Sequence, residues 1–94
     1  MDPQALLRAV EEATRLERAE FCSRRKTRAV VLAKEAMIVV GRQLGVTNAG
    51  LCKLIGVDSS VVSRRLDSAK RRMKESGELR KLVKQIEEAV LKSE

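Results

Sequence analysis

Apolar residues recur along the chain at helical steps, in stripes of differing width. Leu6, Leu7, Val10 and Ala13 share one face after Asp2-Pro3, an N-cap residue followed by proline at the first helical position. This predicts a first helix over about 3–13. Thr14 is placed to cap a short second helix that turns Leu16, Ala19 and Phe21 inward. After the basic stretch SRRKTR, 23–28, the run AVVLAKEAMIVVGRQL is apolar nearly all round, broken by Lys34 and Glu35. A helix of that kind is buried on most of its circumference. Residues 27–44 therefore read as the central helix, with Gly45 as its C-terminal stop.

Farther on, Thr47 caps a two-turn helix whose inward side carries Leu51, Leu54 and Ile55. Gly56, Val57 and Asp58 follow, then a longer helix from about 59 to 74. In it Val62, Leu66, Ala69 and Met73 recur at steps of four, three and four, a stripe one face wide. Apart from Val61, its other positions are serines, arginines, lysines and one aspartate. ESGE, 75–78, breaks the pattern. Ser76 caps a last helix with Leu79, Leu82, Val83, Ile86, Ala89 and Val90 on one side. The expectation is an all-α, compact bundle of five to six helices forming one domain over 1–94. Its parts are N-terminal helices (1–22), a basic loop and central helix (23–45), a helix-turn-helix (47–74) and a C-terminal helix (77–93).

Composition adds little to that picture except in its charge. Phe21 is the one aromatic and Pro3 the one proline, which suits helices. No apolar run approaches 18 residues and no signal or lipidation motif opens the chain, so no membrane role is expected. Cys22 and Cys52 are isolated and read as reduced packing residues in a cytoplasmic protein. The charge is uneven. Residues 1–20 hold three basic and five acidic side chains, residues 21–74 thirteen and three, and residues 75–94 four and five. The surplus of cations lies in the middle of the chain, where it attracts polyanions.

That segment contains GVDSSVVSRRL, 56–66. Two helices joined by a three-residue turn containing glycine read as a helix-turn-helix. Gly56 tolerates positive φ, Cys52 is small where the helices cross, Val62 is a compact aliphatic turned inward, and Asp58 is an N-cap. A recognition helix needs a slim polar tip to enter a groove about 12 Å wide and bring donors and acceptors to base edges. Asp58, Ser59, Ser60, Ser63 and Arg64 are the candidate base contacts. Arg24, Arg25, Lys26, Arg28, Lys34, Lys53, Lys70, Arg71 and Lys74 are the candidate phosphate contacts.

These residues also carry a resemblance. The stretch from Ser23 to about Met73 looks like the C-terminal DNA-binding domain of the bacterial replication initiator DnaA. SRRKTRAVVLAKEAMIVVGRQLG is similar to that family's basic loop and long helix. GVDSSVVSRRL occupies the place of its Gly-x-Asp-His-Ser-Thr-Val signature: Gly56, Asp58, Ser60 and Val62 match, Ser59 stands for the His and Val61 for the Thr. In the family the Asp, His and Thr face the bases, so the resemblance carries over Asp58 directly. The family's minor-groove arginine on the long helix falls at Leu32 here, leaving Lys34 or Arg28 to take its part. The departures resemble DnaA-like domains attached to transposases associated with repetitive extragenic palindromic elements. The resemblance implies a Trp-repressor-like fold and a duplex-DNA partner in the nucleoid. No ATPase or nuclease segment accompanies it. A larger parent chain and a homodimer through 77–93 both stay open.

Other chemistry finds little footing. The sequence contains no His, the two Cys are isolated, and none of the five glycines forms a phosphate-cradling loop, so no enzyme, metal or cofactor is expected. Glu11-Glu12 and Glu87-Glu88 are adjacent on helices, point apart and read as solvated surface. Without aromatics to stack unpaired bases, single-stranded targets are disfavoured. The alternative to a DNA-binding module is a protein-interaction module whose helix-turn-helix scaffold meets an acidic partner.

Overall fold

The computed structural model describes residues 3–22 and 26–93, and the N-cap expected at Asp2 lies outside them. Among the described residues there are six helices and no strand: α1 (Pro3–Thr14), α2 (Arg18–Phe21), α3 (Arg28–Gln43), α4 (Asn48–Ile55), α5 (Ser59–Glu75) and α6 (Gly77–Ser93). None is long and apolar enough to cross a membrane.

α3 is the axis of the domain and packs against each of the other five helices. Its positions 32–41 are all buried, as the near-continuous apolar run requires. Thr27 caps it by accepting from Val30 N–H at 3.4 Å. At the other end Val46 N–H donates to Gly41 O at 2.8 Å and Gly45 N–H to Arg42 O at 3.3 Å. These paired bonds close the helix through Gly45, whose φ of 92° a side chain would strain. α1 and α4 approach α3 closely at Gly41, where a Cβ would lie 2.9 Å from Leu51 Cδ2 and 3.3 Å from Leu6 Cδ2.

Around this axis α1 buries Leu6, Leu7, Ala9 and Val10, and α6 buries Leu79, Val83, Ile86 and Val90. α6 packs against α1 and α3, so its apolar stripe is used inside the domain. Ser76 Oγ accepts from Glu78 N–H at 3.2 Å and starts α6 as expected.

The α1–α2 connection differs from expectation. Thr14 closes α1 instead of capping α2: its hydroxyl donates to Val10 O at 2.7 Å and accepts from Leu16 N–H at 3.2 Å. Arg15 then takes φ 60°, and α2 begins at Arg18 with Glu17 as its N-cap residue. Phe21 is fully buried, but Ala19 faces solvent. Glu11 is not merely solvated; its carboxylate accepts from Arg18 Nη2 at 3.0 Å and joins α1 to α2. The Arg18 guanidinium holds the Glu11 carboxyl below the usual carboxylate range. Both cysteines are free thiols, and Cys22 Sγ donates to Leu54 O at 3.4 Å, tying α2 to α4.

Candidate functional site

α4 is capped by Thr47, whose hydroxyl accepts from Gly50 N–H at 3.0 Å, and seats Leu51 and Ile55 in the core. It ends where Gly56 adopts φ 77°, and the N–H groups of Gly56 and Val57 both donate to Cys52 O. The chain is extended at Asp58, and α5 begins at Ser59. Residues 56–58 thus break the helical path, and only Val62 and Ala69 of α5 are fully buried.

The tip of α5 is polar and open. Asp58, Ser59, Ser60, Ser63 and Arg64 are all exposed. Positions 59, 60, 63 and 64 fall on one face, at helical spacing. Asp58 holds the N-cap position with a φ of −76° and a ψ of 158°, but its carboxylate makes no cap hydrogen bond.

Seven of the nine predicted phosphate contacts fall into four groups. Lys53 is exposed on α4. Lys26 is exposed just before α3 and shares a cleft with Val61, Arg64, Arg65, Asp67, Ser68 and Arg71 of α5. Lys70 and Lys74 lie on the opposite flank of α5, where they join Val39, Arg42, Gln43, Leu66 and Met73 around a second groove. Arg24 and Arg25 lie outside the described residues.

One expectation needs correction, and one residue gains a partner. Lys34 is 4% exposed and buried on α3, which removes it from the solvent-facing set and from the minor-groove part. Burial, and then the charge of Arg65, hold its amine below the usual lysine range. Arg28 is exposed and forms a surface ion pair with Glu78 of α6. Its guanidinium holds the Glu78 carboxyl below the usual range.

Sequence reasoning also missed a set of residues. Glu35 is 1% exposed at the centre of α3. Its carboxylate accepts from Arg72 Nε at 2.8 Å, from Arg72 Nη2 at 3.4 Å and from Ser68 Oγ at 3.3 Å. Arg65, Ser68 and Arg72 are half-buried and form a polar stripe beside the Val62–Ala69 core stripe. The signal was present: a carboxylate inside a nearly all-apolar helix needs a cation or donor from a neighbour. The steps of three and four from 65 through 68 to 72 supply one.

The two grooves flanking α5 contain one acidic residue between them, Asp67. The groove between α1 and α6 instead mixes Glu12 and Glu88 with Arg15 and Lys92. Among the described residues no group of three or more His, Cys, Asp or Glu is arranged to hold a metal ion. The chain matches no protein-family model, no curated protein and no solved structure.

Proposed function

We propose that the chain is a sequence-preferring, duplex-DNA-binding module of the DnaA-like kind, belonging to a replication initiator or a transposase-associated protein and working in the cytoplasm on the nucleoid. The observation that carries this reading is the exposed tip of α5, with Asp58, Ser59, Ser60, Ser63 and Arg64 held off the Gly56 turn and cations on both flanks. The tip enters the major groove. The Arg64 guanidinium donates to a guanine edge, the serine hydroxyls adapt to either partner, and Asp58 accepts from a base amine. Lys26, Lys53, Lys70, Arg71 and Lys74 meet the phosphates. Those five contacts predict a log–log salt slope of roughly −4 to −5.

Fluorescence anisotropy with random duplex, followed by in vitro selection from a random pool, tests the reading. The expected results are that slope and a defined consensus. Arg64→Ala should relax preference at one base position by about 1–3 kcal/mol, whereas Lys70→Ala should weaken all duplexes alike. An Arg64→Ala protein with the parent's consensus takes Arg64 out of the readout.

One feature favours a second reading. The groove between α3 and α5 has an apolar floor of Val39, Leu66 and Met73 beside Arg42, Lys70 and Lys74, which suits an acidic amphipathic protein segment. Random-duplex binding weaker than about millimolar at low salt, below even ordinary non-specific association, would turn the assignment to that interaction module.

A further inference from the structure

The polar stripe on α5 meets α3 in two unlike ways. At its C-terminal end Arg72 delivers Nε–H to the buried Glu35 carboxylate. Seven residues earlier Arg65 faces no such acid. Its Nε is buried and has no protein acceptor among the described residues. The neighbouring side chain on α3 is another cation, the buried Lys34, whose amine is held low partly by the Arg65 charge. The Arg65 side chain lines a cleft and its buried N–H is left over, with the Lys34 charge beside it on α3.

The cleft adds charge of the same sign. Lys26 comes from the segment before α3, and Arg64 and Arg71 come from α5; all three are exposed, and Asp67 is the one acid in the lining. A buried donor without an acceptor, beneath converging cations, is matched by a compact anion with several oxygens. A guanidinium meets phosphate oxygens through paired N–H groups, which an ammonium cannot do.

We propose that the cleft between Lys26 and α5 seats a single phosphate group, with Arg65 at its base and Lys26 and Arg71 at its rim. Resting on the duplex-DNA reading above, the phosphate is one backbone linkage beside the groove that the α5 tip enters. Arg65 is then a positioning residue: it fixes where the tip sits along the duplex without reading a base.

The test has two arms. In the first, the arginine Nε–Hε resonances of the protein are followed while inorganic phosphate replaces chloride at constant ionic strength. The expected result is a saturable shift of Arg65, with Arg72 unmoved because Glu35 already occupies it. In the second, Arg65→Gln is compared with the parent on duplex DNA across a salt series. The expected results are roughly a tenfold loss on every sequence and a slope smaller by about one unit. Arg65→Lys should recover the slope but only part of the affinity. Thermal unfolding checks that each variant is folded.

A saturable Arg65 shift in a protein that binds no duplex would overturn the DNA reading and keep the seat, its ligand being free phosphate or a small phosphorylated compound. An even drift of all the arginines would overturn the seat. So would a folded Arg65→Gln protein that holds duplex with the parent's slope and affinity, in which case DNA binding would stand without it.

Discussion

α5 and α6 are both 17 residues long and both lie against α3, yet they are built to different ends. α6 buries Leu79, Val83, Ile86 and Val90 and carries four basic and three acidic side chains. α5 buries only Val62 and Ala69 and carries six basic and two acidic ones. α6 is held by apolar area, whereas α5 is held by two small apolar contacts, half-buried Leu66 and Met73, and the polar fork from Glu35. The contrast teaches that a small domain can hold two helices of equal length to one axis by different means, one by apolar area and the other by a polar fork. The helix freed from core duty is the one that can keep its first two turns slim and polar.

The contrast can be broken experimentally, and the largest effect should come from α6. Leu79→Ala, at a fully buried position, should cost about 2–5 kcal/mol in chemical denaturation. The duplex salt slope of whatever fraction stays folded should not change. A loss of slope there would mean that α6 shares in binding.

Next comes the polar fork. Arg72→Met leaves the Glu35 carboxylate, 2% exposed at its side chain, buried without its cation. The cost should be about 3 kcal/mol. Glu35→Gln should cost less, because the Arg72 side chain is 40% exposed and can turn to water. Equal losses from the two substitutions would show that the fork is not what holds α5.

A smaller effect is expected at the elbow. Gly56→Ala meets nothing within 4 Å, so its cost is backbone strain alone at φ 77°, about 1–2 kcal/mol. Denaturant titration would measure it, and an unchanged midpoint would mean the turn relaxes without strain.

The smallest effect is on pH. The Glu78 carboxyl is depressed by Arg28, and the Glu11 carboxyl by Arg18. A depressed carboxyl contributes stability above the ordinary carboxylate range and loses it as pH falls through its lowered value. Both pairs lie at the surface, so the acid limb of a melting-temperature profile should flatten only slightly in Glu78→Gln. A rise in melting temperature on acidification would contradict the sign.

The helices were legible because periodicity and caps agree. Thr47, Gly45 and Gly56 stand where their chemistry requires, and the apolar positions of α1, α3 and α6 predict their burial. The α1–α2 connection was not legible, since a threonine at a helix end can close the helix behind it as well as open the next. Within the candidate site, exposure of the α5 tip followed from its spacing. The fates of Glu35 and Arg28 did not, because each is decided by a partner far along the chain: Arg72 and Glu78. Local pattern tells that such a charge needs company but not which helix will bring it.

Glu35 grips Ser68 with one carboxylate oxygen and Arg72 with both. Two attachment points just over a turn apart on α5 set not only where the helix lies but how far it is rolled about its own axis. Side-chain ends on a helix lie about 5–6 Å from that axis, so a roll of about 10° would sweep the ends of Ser63 and Arg64 by about 1 Å. A carboxylate deep in the domain therefore acts as the stop on a dial, and the angle at which the outer face is presented is set from within.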